Sequence, residues 1–498
     1  MKILYKKITK VTALLFLFSL VACNDYLSEL PDDRTTINSG EKIKALITGA
    51  YPQGNYMLMA ELMSDNALSK PTNNGVANDL LHEQMFNWEE SIDLNQDSPT
   101  AYWVACYEAI AQANQALESI EELKNQFNLD AEKGEALIAR AYAHFMLVNF
   151  WGKHFDPSTA NSDLGIPYVT KPETVLIQKY TRNTVKEVYD FIERDLNEGL
   201  KLIKNREENP KFHFSKESGQ AFAVRFYTYK GDWDQVILNA NELLINPRLQ
   251  VRDMVAYRTL SYGERTFRYN NTLEDANILV NSVSSWWARS FASTNYGLLS
   301  GSDIFTSGNP LNKQWAYQTF GGDKFSNLPK FDEYFKITNQ SAGTGFGLTP
   351  QVLFSYDEVL LNRAEAYAMK ENYTNSLKDL TDFLSKKTVG FNNGTDNLTA
   401  EMVTDTYPVI ANELTPSYGF KDDKQTSFVK AVLSFKQKEF YHEGLRWFDV
   451  RRFNIEIKRA YKKQNSFVSE ITLAKDDLRR QMQIPESATN IGLIKNPR

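Results

Sequence analysis

The chain has 498 residues, of which 42% are hydrophobic and 24% charged, with a formal net charge of −6. It is long enough to bury a large core and to hold more than one domain. The acidic balance excludes a phosphate-backbone binder, which needs a basic face, so no nucleic-acid partner is expected. The 30 Phe, 25 Tyr and 8 Trp exceed what a helical core needs, so some are expected at a recognising surface.

The chain opens with a basic stretch carrying Lys2, Lys6, Lys7 and Lys10, then the apolar run VTALLFLFSLVA, ending at Leu20-Val21-Ala22-Cys23. The run has the length of a secretory h-region and is too short for a permanent membrane span. Its end resembles the bacterial lipobox, in which the leader (1–22) is cut before a cysteine that receives acyl chains. The plainer alternative is an ordinary leader. Acylation of Cys23 would contribute about 0.8 kcal/mol per buried methylene, so more than one chain is needed for a stable anchor. The second cysteine, Cys106, sits in the apolar YWVACYEAI and reads as a small core residue. With no disulfide available to the mature chain, stability must come from packing.

After a polar leash (NDYLSELPDDRTTINS), the chain reads as helices joined by long loops. Residues 100–123 repeat apolar positions at three- and four-residue spacing. Residues 130–152 form a second helix, with Asp130 as expected N-cap, Gly152 as terminator, and Ala136, Ala139, Ala141 and Ala143 allowing close approach. Residues 184–203 form a third, amphipathic helix. Two later segments align without gaps, Lys230-Gly231-Asp232-Trp233 falling on Lys370-Glu371-Asn372-Tyr373. Each reads as helix, polar turn, aromatic, helix, the grammar of a tetratricopeptide-type hairpin whose aromatic wedges between the helices. The 139–155 segment is a candidate third hairpin. Such hairpins make scaffolds and docking surfaces. The expected fold class is therefore mainly α, a tetratricopeptide-like scaffold with long irregular insertions.

Those insertions, 63–91 and 281–331, are rich in turn formers and aromatics, and loops of that length are functional or disordered. Their aromatic content argues against disorder. In SSWWARS, Trp286 and Trp287 are adjacent, and neighbours on any regular element diverge, so at least one is expected to be displayed. The stretch 341–347, SAGTGFG, lacks the Lys-Ser/Thr of a phosphate loop and reads as a flexible linker. His82, His144, His154, His213 and His442 show no metal-ligand spacing, and neither metal nor cofactor is expected.

The order of the pieces is similar to the SusD/RagB family of outer-membrane nutrient-binding lipoproteins of Bacteroidota. The resemblance rests on CNDYLSELPDDRT after the lipobox, YEAIAQANQAL, ARAYAHFMLVNFWGKHF with GIPYVT, SYDEVLLNRAEAYA, FKQKEFYHEGLRWFDVRRFN and QMQIPESATNIGLIKNP. It covers essentially the whole mature chain. One departure is the GSDIFTSGNPLNKQW region, where relatives usually carry an acidic-Arg element. The resemblance implies one SusD-like unit over 23–498, with an N-terminal half to about 270, ligand loops at about 281–331 and a helical part at about 350–498.

It also implies an oligosaccharide ligand, a SusC-like TonB-dependent transporter as partner, a lipid anchor in the outer membrane with surface exposure, and no catalysis. Sugar C–H faces stack on indole or phenol, which singles out Trp88, Trp286, Trp287, Tyr296, Trp315 and Tyr317. Asp65, Asn66, Arg289 and Gln314 are the expected polar partners. The EGLRWFDVRR element is expected in the scaffold: on one helix Glu439, Glu443 and Arg446 share a face, Asp449 sits three before Arg452, and Phe440 and Trp447 take apolar positions. Rival readings are a RagB-like peptide binder, a bare helical scaffold, and a surface glycosidase. The last needs two carboxylates about 5 to 9.5 Å apart, with Asp65, Asp303 and Asp323 as candidates.

Overall fold

The computed structural model describes residues 37–498, except 71–78, 176, 206–209, 300, 323–325 and 464–465. The leader, Cys23, the leash up to residue 36 and Asp323 lie outside the described residues. The architecture is mainly helical. Nine helices form its frame: α1 (Pro99–Leu123), α2 (Asp130–Trp151), α3 (Val185–Leu202), α4 (Lys216–Lys230), α5 (Trp233–Leu243), α6 (Tyr356–Met369), α7 (Tyr373–Lys387), α8 (Asp423–Glu439) and α9 (Leu445–Arg452). They pack in succession, α1 on α2, α2 on α3, α4 with α5, then α6 with α7 and α8. One apolar core runs through these layers from Ala50 to Leu493. A smaller one surrounds Ile43, Ala116 and Leu129. Cys106 is buried and free.

Local chemistry explains the helix ends. Ser98 accepts from the Ala101 N–H to start α1, and Thr184 and Glu187 form a reciprocal capping box on α3. On α2 the cap is Leu129, not Asp130, with no side-chain cap bond, and the Asn128 side chain takes the Asp130 N–H. Asp130 and Glu132 instead oppose the positive end of the helix dipole. The closest approach of α2 and α3 falls on glycine: a Cβ at Gly134 would lie 2.5 Å from the Ile203 nitrogen, and one at Gly199 2.6 Å from Ile138 Cγ1.

The two aligned hairpins are α4–α5 and α6–α7, and α6 packs on both α4 and α5. Far apart in the chain, they are neighbours in space. Their turns match residue for residue. Gly231 and Glu371 are both left-handed (φ +78° and +59°), and Asp232 and Asn372 cap the second helices. The aromatics that follow reach a later segment: Trp233 meets Tyr418 edge-on at 5.2 Å, and Tyr373 lies 4.7 Å from Phe428 of α8. The 139–155 segment belongs to α2, which pairs with α3 across a long loop and is not a short hairpin.

Buried ion pairs tie the layers together. Arg225 of α4 grips Glu358 of α6 through two bonds of 2.6 Å. Lys387 of α7 lies 2.8 Å from both Asp357 and Glu439, and Arg252 lies 3.3 Å from Glu439. EGLRWFDVRR is part of this network, with its geometry corrected. No single helix runs through it, because His442 (φ +73°) and Gly444 (φ +74°) break the chain between α8 and α9. A Cβ at Gly444 would meet Ala60 Cβ at 2.8 Å. The break sends each charge to a different partner: Glu443 to Lys330 (2.6 Å), Arg446 to Asp65, and Arg452 to Glu365 and Asp449. Phe440 and Trp447 are buried.

Apart from the short antiparallel pair Phe320–Gly321 and Ser326–Asn327, the strands are β1 (Leu68–Ser69), β2 (Asn277–Val283), β3 (Tyr296–Gly297), β4 (Tyr334–Asn339), β5 (Thr344–Ser355), β6 (Ile457–Lys463) and β7 (Ser466–Leu473). All pair antiparallel: β1 with β3, β6 with β7, and β2, β5 and β4 in that order. The 341–347 stretch is thus no linker. It turns the β4–β5 ribbon, with Gly345 opposite Ile337 and Gly347 opposite Phe335.

Candidate functional site

The two excursions meet. β1 belongs to the first and β3 to the second, Phe86 stacks on Tyr296 at 4.2 Å, and the Lys70 N–H donates to Asn295 O. Most of the expected aromatic platform is nevertheless core. Trp88, Trp287, Tyr296, Trp315 and Tyr317 are all at most 5% exposed. Their indoles and phenols peg the excursions to the scaffold. Trp88 Nε1 donates to Met63 O, Trp287 Nε1 to His442 O, and the Tyr317 hydroxyl to Glu439 at 2.6 Å. Asn66 is also buried, donating to Glu61 and accepting from Gln437. Asp65 is committed to Arg446 through two bonds of 2.7 Å. Gln314 is exposed beside the Trp315–Thr388 bridge.

Trp286 and Arg289 remain, and they lie together. Trp286 is half-buried at the mouth of the one-turn helix Trp287–Ser290, and Arg289 follows three residues on, on the same side. Their backbone is held by Asp97, whose carboxylate accepts from Ser285 Oγ (2.6 Å) and the Trp286 N–H (2.7 Å). Burial pushes the Asp97 carboxyl up to about 6, against the pull of those two bonds. Arg289 Nε and Nη2 fork onto Glu333 at 2.5 and 2.7 Å. Of the five N–H donors of a guanidinium, the fork uses two and leaves three.

The fork lies over a strip without side chains. A Cβ on Gly347 would fall 2.1 Å from Glu333 Oε1 and 3.2 Å from Arg289 Nη2. Glu333, Phe335 and Ile337 alternate onto this same face, and Phe335 is 59% exposed. The fork thus has a half-buried Trp286 three residues before its guanidinium and an exposed Phe335 two residues after its carboxylate, which offers apolar rings and locked polar groups on neighbouring stretches of chain. Asp97, Glu333 and Phe335 escaped the sequence reading, since each is far from Arg289 in the chain and only the fold joins them.

The histidines serve structure. His144 Nδ1 bonds Arg140 O and its Nε2 accepts the Val169 N–H. His213 bonds Glu135, and His442 accepts the Leu328 N–H. Burial pushes His144 down to about 3 and His442 well below its ordinary value, so neither is charged at neutral pH. Among the described residues no cluster of His, Cys, Asp and Glu could hold a metal ion, and no helix is long and apolar enough to cross a membrane.

A family model described as starch-binding, associating with the outer membrane, matches residues 25–228, and one described as the SusD family matches residues 250–491. The chain belongs to the SusD family. Solved SusD structures share the fold at low identity. A SusD superfamily protein of Bacteroides thetaiotaomicron is 18% identical with a TM-score of 0.66, over 92% of this chain and 99% of that one. A putative sugar binding protein of Bacteroides vulgatus is 17% identical with a TM-score of 0.68, over 93% and 99%. A laminarin binding SusD-like protein is 15% identical with a TM-score of 0.56, over 92% and 99%. No curated protein matches the chain.

Proposed function

We propose that this SusD-family chain is a surface lipoprotein of the outer membrane that binds an oligosaccharide on the Trp286–Arg289–Glu333–Phe335 shelf and passes it to a SusC-like TonB-dependent transporter. The observation that carries the reading is the Arg–Glu fork laid flat over Gly347, with Trp286 and Phe335 close to its two members in the chain. Indole and phenyl faces stack on the C–H faces of a pyranose, while the free N–H groups of Arg289 and the carboxylate oxygens of Glu333 bond its hydroxyls. The names of two similar structures, a putative sugar binding protein and a laminarin binding protein, favour a sugar over a peptide. No bond is broken in this reading. Of the glycosidase candidates, Asp65 is already forked by Arg446. Cys23 after the leader supplies the anchor.

The transporter would meet a groove of about 1090 Å³ along α1, floored by Val104, Ala111, Ile491 and Leu493. Glu108, Glu118, Glu122 and Glu173 rim it against a single Lys171, so the partner should present Lys or Arg there. Ile37 also lines this groove.

A glycan array tests the ligand. Arg289→Ala should weaken the recognised oligosaccharide at least tenfold, and a peptide library should give no saturable binding; the reverse pattern assigns the peptide reading. Co-purification tests the partner: Val104→Asp should release the transporter while glycan affinity stays unchanged.

A further inference from the structure

A second cavity, of about 360 Å³, opens between the 153–163 loop, the 415–417 turn, the end of α9 and the 476–481 segment. Arg451 and Arg480 line it. Both are buried, at 6% and 7% exposed, and neither has a carboxylate partner among the described residues. An uncompensated buried charge is costly, so each needs an explanation.

Arg480 has one in the backbone: it donates to Ala474 O, Val450 O and Ile455 O. Arg459 elsewhere does the same, bonding Ser64 O, Ala67 O and Phe86 O between the rings of Phe86 and Trp88. Arg451 differs. It makes one bond, Nη2 to Gly152 O, and its other nitrogens are not sealed but border the cavity. Burial holds the guanidinium of Arg451 down to about 10, and that of Arg480 likewise to about 10.

Of the acids around the cavity, Asp163 and Asp477 are paired with cations, while Asp156 and Asp476 bond only neutral donors and keep their charge. Asp163 accepts from Lys153 and Thr159, Asp477 is forked by Arg479, Asp156 accepts from Ser158, and Asp476 accepts from Asn454. Arg452 is neutralised by Glu365 and Asp449. His154 is kept neutral by burial and by Arg452 and Arg451, so it can donate one N–H without adding charge.

We propose that this cavity is a binding site for a small oxyanion, with Arg451 as its principal donor and charge partner, His154 and Ser417 as further donors, and Arg480 as fixed positive background. A free inorganic phosphate or sulfate and the carboxylate of an acidic sugar share this chemistry, and planar guanidinium forks suit both. The site is separate from the Trp286 shelf, so it stands whether or not the sugar reading does.

Isothermal titration of the full mature protein with inorganic phosphate, sulfate and galacturonate tests it. Wild type should bind at least one of the three saturably, and which one identifies the source. Arg451→Gln should lose that binding at least tenfold, and Arg289→Ala should keep it. Because Arg451 is buried, the exposed Ser417→Asp gives a variant expected to fold normally, and its added carboxylate should weaken the anion at least tenfold. No saturable binding of any of the three, or equal affinity in Ser417→Asp, overturns the proposal.

Discussion

The helical layers and the 281–331 excursion satisfy their buried polar groups in different ways. In the layers, charges meet charges: Arg225 with Glu358, Lys387 with Asp357 and Glu439, Arg363 with Asp379. In the excursion, apart from the Lys330–Glu443 pair, it is aromatic side chains that reach into the frame, Trp287 to the His442 carbonyl and Tyr317 to the Glu439 carboxylate. Both devices converge on the end of α8. Most rings of the excursion are therefore fasteners, and recognition is left to the few that the fastening does not use. Trp286 and Trp287 show the division within two consecutive residues.

Breaking the shared junction should have the largest effect. Burial alone would raise the Glu439 carboxyl, but Lys387, Arg252 and Lys330 overcome it and hold it at about 2. A depressed carboxyl stabilises the fold above its unfolded value near 4.5, and that contribution is lost as pH falls towards 2. Glu439→Gln should cost about 3–5 kcal/mol in chemical denaturation at pH 7, since it strands buried cations. It should also flatten the acid limb of the stability curve. A cost below about 1 kcal/mol would mean that the ion pairs do not hold the layers.

Asp97 should behave oppositely. Its carboxyl is raised from 3.8 to about 6, so the folded state binds the proton more tightly than the unfolded chain. Its contribution therefore turns unfavourable as pH climbs from about 4 to 6, by at most about 3 kcal/mol. Asp97→Asn, at a left-handed position that asparagine tolerates (φ +69°), should remove that slope. Denaturation midpoints at pH 4, 5 and 6 read it directly, and parallel curves for variant and wild type would contradict the assignment.

Much of the frame was legible because it is written locally. The apolar spacing of 100–123 and the matched turns at Lys230–Trp233 and Lys370–Tyr373 need only neighbours in sequence to be read. The ribbon of β4 and β5 was missed because its glycines, read alone, suggest a linker; they become a strand only beside Phe335 and Ile337. The aromatic platform was over-read for a related reason. Whether an indole is a peg or a platform depends on a carbonyl such as His442 O lying within reach of its N–H, and no local pattern carries that. Among the expected site residues, the neighbours Trp286 and Arg289 are the ones that meet on an open surface, while their partners Glu333 and Asp97 come from distant chain segments.

The decisive measurement compares glycan affinity and melting temperature for Trp286→Ala and Trp287→Ala. Losing the buried Trp287 should cost about 3–5 kcal/mol of stability. Trp286→Ala should leave stability within about 1 kcal/mol and lower glycan affinity at least tenfold. Unchanged affinity in Trp286→Ala at unchanged stability would contradict the shelf as the place where the ligand is held.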